Sequence, residues 1–151
     1  MASATSRARW FLAYAVGGLA LVALLTLVMA FVMGSRGAAA LAEAPSVGQT
    51  LQGAAEAIPA AWVVVGAAAL LTGLNARWAP YAWAVLGAAF VLGEFGTTMN
   101  LPSWLVGLSP FAHVEAYPLG HWDWANVLVL TAIAVVLTGA GLAAYRRRDL
   151  T

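Results

Sequence analysis

Trp10–Gly34 reads WFLAYAVGGLALVALLTLVMAFVMG, without one charged residue. At about 1.5 Å of rise per residue, such a run crosses a hydrocarbon core of about 30 Å as a helix. Arg7 and Arg9 precede it, in the manner of a secretory leader. The apolar stretch is too long for that, since a leader's apolar region runs about 7–15 residues. It reads as a retained membrane helix. Gly17 and Gly18 stand near its start, where a neighbouring helix can approach or where glycine is merely tolerated.

The rest of the chain has the same character. Of 151 residues, 63% are hydrophobic and 9% charged. Soluble domains carry roughly 25% charged residues, and so few charges cannot cover so much apolar surface in water. Ile58–Leu74 forms a second run, with Pro59 at a first-turn position where its missing N–H costs nothing. Asn75–Pro80 makes a tight connection, a third run extends from Pro80 to about Met99, and a fourth covers Trp124–Tyr145. The spans are therefore set at about 10–34, 58–74, 80–99 and 124–145, in a single domain over 1–151. The expected fold is an all-α integral membrane protein, a four-helix transmembrane bundle.

Two polar stretches separate the spans. Residues 35–57 hold Arg36, Glu43, Pro45, Gln49, Gln52 and Glu56. Their apolar positions are mostly alanine, so a solvated loop is expected over a surface helix. Residues 100–123 are proline-rich and aromatic, with Trp104, Phe111, Tyr117 and Trp122. Tryptophan and tyrosine favour the headgroup level, which predicts a structured outer loop lying on or dipping into the leaflet. Pro102 opens a helical turn there and Ser109-Pro110 closes it. The segment is expected to pack on the outer ends of the third and fourth spans, with Trp104, Leu105 and Leu108 on one face toward the membrane and Trp104 as a large buried anchor.

The chain has no lysine, and all seven basic residues are arginine. With four spans, Arg7, Arg9, Arg77, Arg146, Arg147 and Arg148 share one side and Arg36 takes the other. Positive charge concentrates on the cytoplasmic side, so both termini are expected there, in a bacterial plasma membrane. Arg77 and Arg146–Arg148 serve as anchors at the anionic leaflet.

Little suggests an enzyme. A phosphate-binding P-loop needs a lysine, so any ATP is bound by another chain. There is no nucleophile elbow and no carboxylate pair at reactive spacing. A net charge of +1 gives no pull toward nucleic acid, and no cofactor is implied. Without cysteine there is no thiolate metal site. His113, Glu115, His121 and Asp123 match no helical metal motif and read as a polar rim, so no metal is assigned. Glu94 is the one ionisable residue well inside a span, a position that points to function by default. The plainer reading has it near the outer interface, solvated or bonded to Thr97 or Thr98.

Three segments carry a family likeness: IPAAWVVVGAAALLTGLNARWAPYAWAVLG (58–87), LPSWLVGLSPFAHV (101–114) and LTAIAVVLTGAGLAAYRRRDL (130–150). Together they resemble the C-terminal end of ABC-type exporter permeases, in particular the tetronasin or polyketide-antibiotic group. Leu101, Pro102, Trp104, Leu108, Ser109, Pro110, Phe111, His113 and Val114 carry the most specific part. The resemblance implies a permease subunit or fragment of a multidrug or antibiotic exporter, powered by a separate ATP-binding subunit. It also implies a further permease chain or a homo-oligomer. The four spans correspond to the last four of a six-span unit, so the chain is a piece of such a permease or a shortened relative. Glu94, Trp104, Phe111 and His113 become candidates for the substrate path. The alternative is a small membrane protein that scaffolds or regulates a partner complex without transporting.

Overall fold

In a computed structural model, residues 4–40, 44–114 and 122–147 are described. Helix α1 covers Ala4–Ala40, α2 Val47–Leu74, α3 Tyr81–Phe95, the short α4 Ser103–Val106, and α5 Trp124–Arg147. Residues 8–37 of α1, together with α2 and α5, are long and apolar enough to cross a membrane. Among the described residues there is no strand.

The expected loop over 35–57 is a correction. Most of it is helix, because a local signal at Ser46 starts α2 early. The Ser46 hydroxyl accepts from the Gln49 N–H at 3.2 Å, and the Gln49 side chain accepts from the Ser46 N–H at 2.8 Å. This capping box satisfies two amides that a helix start otherwise leaves open. Helix α2 thus begins at Val47, and Pro59 lies inside it rather than in its first turn. The proline is buried and cannot donate to the Ala55 carbonyl four residues back. Across the turn, Gly34 meets α2 so closely that a Cβ there would lie 3.0 Å from Val47 Cα.

Helix α2 is the centre of the molecule, packed on α1, α3 and α5. It runs antiparallel to α1, and the Trp62 indole N–H donates to the Leu19 carbonyl at 3.0 Å. It runs parallel to α5, and there the backbones nearly touch. A Cβ on Gly141 would lie 2.7 Å from the Ala69 carbonyl oxygen, and one on Gly73 would collide with the Gly141 carbonyl. Gly66 is close as well, at 3.0 Å from the Ala134 oxygen. Small residues allow such approach between membrane helices, where packing replaces the hydrophobic drive. The N-terminal glycines do no comparable work: a Cβ on Gly17 meets nothing within 4 Å, and one on Gly18 makes ordinary contact with Val65.

At one end, Phe11 of α1 stacks on Tyr145 of α5 with ring centroids 5.1 Å apart. This end also carries Arg9, Arg146 and Arg147, all exposed, and the 3₁₀ turn Ala76–Trp78 with Arg77. Asn75 forms that turn by accepting from the Arg77 N–H at 3.0 Å. Helix α3 then leaves toward the far end. At about 22 Å it is shorter than the hydrocarbon core. Turns continue it to Asn100, whose left-handed φ of 52° halts the helical path. Most large apolar side chains point outward, including Leu24, Phe31, Trp83 and Val136. Helices apolar on every side suit a lipid solvent.

Candidate functional site

Beyond Asn100 the chain turns back along α3. Pro102 precedes α4, and Pro110–His113 forms a 3₁₀ turn after Ser109. Ser109 is the fastening point, only 1% exposed. Its hydroxyl donates to the Ala89 carbonyl at 2.6 Å and accepts from the Phe111 N–H at 3.2 Å. Ala89 lies six residues before the end of α3, so the segment descends about 9 Å along the helix. Two glycines make room for it. A Cβ on Gly93 would sit 2.8 Å from Phe111 Cβ, and one on Gly96 would sit 2.7 Å from Val106 Cγ2.

Phe111 and His113 are held together by this turn. The Phe111 side chain lies against Gly93. His113 Nδ1 is 3.0 Å from the Ser109 carbonyl, which can only accept, so Nδ1 carries the proton and Nε2 is left to face outward. Beside them a concavity of about 480 Å³ is lined by Thr97, Asn100, Ser103 and His113, among others. Trp104 does not join this group. It is 68% exposed and Leu108 67%, so the packed anchor expected at Trp104 is corrected: α4 turns that face away from the protein. The segment's main partners are α3 and α2, where the last helix had been expected beside α3. Glu94 is also exposed, on the side of α3 away from Gly93 and Gly96. Among the described residues, no hydrogen bond joins it to Thr97 or Thr98. Arg77, Arg146 and Arg147 stand at the opposite end, and Arg148, Glu115 and His121 lie outside the described residues.

Glu56 was missed as a site residue. It is buried at 5% exposure within α2. Its Oε1 accepts from the Asp123 N–H at 3.1 Å. Asp123 in turn caps α5, its Oδ1 accepting from Ala125 N at 2.8 Å and Asn126 N at 3.3 Å. The Trp122 indole N–H is buried beside this junction and has no partner among the described residues. The Trp122 ring meets Trp124 edge-on at 5.1 Å. Reading 35–57 as a loop hid this buried carboxylate, because it placed Glu56 outside any helix.

Residues 1–146 match the family described as the multidrug efflux system permease Rv1217c, C-terminal domain. The chain belongs to this family. It is 32% identical to the multidrug efflux system permease protein Rv1217c of Mycobacterium tuberculosis (strain ATCC 25618 / H37Rv) over 157 aligned residues. That alignment takes in 99% of this chain and 28% of the relative, so the chain spans little more than a quarter of the relative's length. No solved structure matches it. With three apolar helices of crossing length, this member of the Rv1217c C-terminal domain family is membrane-embedded.

Proposed function

We propose that the chain is the membrane-spanning part of an ABC-type multidrug or antibiotic exporter, of the tetronasin or polyketide-antibiotic kind, driven by a separate ATP-binding subunit. The observation that carries the reading is membership of a multidrug efflux permease family over nearly the whole chain. Residues 1–151 act as one domain with four crossings and both termini in the cytoplasm. Topology supports the fourth crossing. Helices α2 and α5 lie parallel, which supports a return passage between them, and apolar α3 with its continuing turns is the segment suited to it. The six-to-one arginine distribution supports the orientation. Among the described residues, α2 fills the space between α1, α3 and α5, which supports a second permease chain or copy beside this one to complete a path.

In this reading the re-entrant turn closes the outer end of the path. Phe111 and His113 face the substrate from the turn, Trp104 and Glu94 line its approach, and Arg77, Arg146, Arg147 and Arg148 hold the inner end at the anionic leaflet. The test is drug efflux from cells expressing the full permease with its ATP-binding partner. Phe111→Ala should lower efflux several-fold at unchanged membrane abundance. Unaltered efflux in a Trp104→Ala, Phe111→Ala double variant would reduce the turn to a connector. Failure of any ATP-binding subunit to co-purify would favour a scaffolding role.

A further inference from the structure

A furrow of about 300 Å³ runs between α1 and α5 on the side away from α3, floored by Trp62 of α2. Leu12 and Leu19 form one wall; Val135, Gly139 and Leu142 form the other. It is open to the surroundings, with Val135 66% and Leu12 38% exposed. From Thr131 to Leu142 its α5 wall is about 16 Å long, close to half of a hydrocarbon core of about 30 Å. The furrow therefore has the depth of one leaflet. Its mouth is basic. Arg146 follows Leu142 by four residues and continues the same face of α5, while Arg9 precedes Leu12 by one turn on α1. The Phe11–Tyr145 stack holds these two helix ends side by side. Both arginines are exposed. The described carboxylates, Glu56, Glu94 and Asp123, all lie toward the opposite end.

We propose that this furrow is a binding site for one anionic phospholipid of the leaflet on the arginine side. An acyl chain lies along Leu19, Val135 and Leu142, and the headgroup phosphate is met by Arg9 and Arg146. Charge complementarity selects this occupant over a protein helix. A helix of another chain would fill the apolar wall equally well, but its apolar face would bring no counter-charge to the two arginines, and no described carboxylate of this chain stands at that end. A zwitterionic lipid would fit the furrow and gain less from the arginines. The site does not depend on the transported compound or on which side of the membrane the arginines face.

Native mass spectrometry of the purified 151-residue chain, titrated with phosphatidylglycerol or phosphatidylcholine of identical acyl chains, tests this directly. The wild type should prefer phosphatidylglycerol by roughly tenfold, as two arginines near an anionic headgroup allow. An R9Q/R146Q double variant should lose that preference. Gly139→Leu should lose lipid of both kinds, because it fills the furrow without a clash: a Cβ there meets nothing within 4 Å. Gly87→Leu, equally unobstructed on α3, should bind as the wild type does and controls for folding, checked by circular dichroism on each variant. Equal binding of the two lipids by the wild type would overturn the proposal, as would full lipid retention in Gly139→Leu. The chain has no native cysteine, so Gly139→Cys reports cleanly on neighbours. Its efficient disulfide cross-linking to a second chain in membranes would make the furrow a protein interface and refute the lipid.

Discussion

At Gly141 a single added carbon would sit 2.7 Å from the Ala69 carbonyl oxygen and 2.9 Å from the Leu70 nitrogen. Backbone atoms cannot swing aside as a side-chain tip can. Gly141→Ala should therefore push α5 off α2 and cost about 1–3 kcal/mol, the usual toll of overpacking. Gly17→Ala, with open space around it, should leave stability unchanged or slightly raised, since alanine favours helix. Thermal unfolding of both variants in detergent checks the contrast, and equal midpoints would contradict the seam. Glu56 invites a second comparison. Glu56→Gln keeps an oxygen that can accept the Asp123 amide, whereas Glu56→Ala strands that amide at a cost of about 1–3 kcal/mol. The alanine variant should be distinctly less stable than the glutamine variant. Equal losses would mean that charge, not the hydrogen bond, matters at this position.

Among the elements, α2 departs furthest from expectation, and the reason is local. Its Ser46-Val-Gly-Gln49 start is a readable capping box, but the alanine-rich turns after it have no hydropathy to mark them as helix. Ser46→Ala should cost about 1 kcal/mol and fray the first turn of α2, seen as faster amide exchange at Gly48–Thr50 with no change near Gly66. Helices α1 and α5 were legible because an uninterrupted apolar run has no other stable form in lipid. The turn folded back on α3 was partly legible: Pro102 and Ser109-Pro110 mark its bends from steric rules alone. The bond from Ser109 to Ala89 was not, because it spans twenty residues and depends on Gly93 leaving a gap. The burial of Trp104 was overestimated for a related reason. Spacing puts Trp104 and Leu108 on one face, but it does not say how much of that face the protein itself covers.

For the molecule as a whole, the arrangement of ends is the testable property. Phe11 against Tyr145 puts the start of α1 beside the end of α5, and the Asn75 turn closes the same end. Reporter fusions after Gly34, Ala76, Gly120 and Thr151 should read out, in, out and in. A cytoplasmic signal at Gly120 would reverse the proposed orientation. The junction at the other end carries a consequence for the evolutionary record. Glu56 grips residue 123 by its main-chain amide, which every amino acid except proline possesses. Relatives can therefore change the side chain at 123, within the set that still caps a helix, without any compensating change at 56. A contact that ties two distant parts of the chain together would then leave almost no signal of correlated substitution, and methods that infer proximity from paired mutations would pass over it.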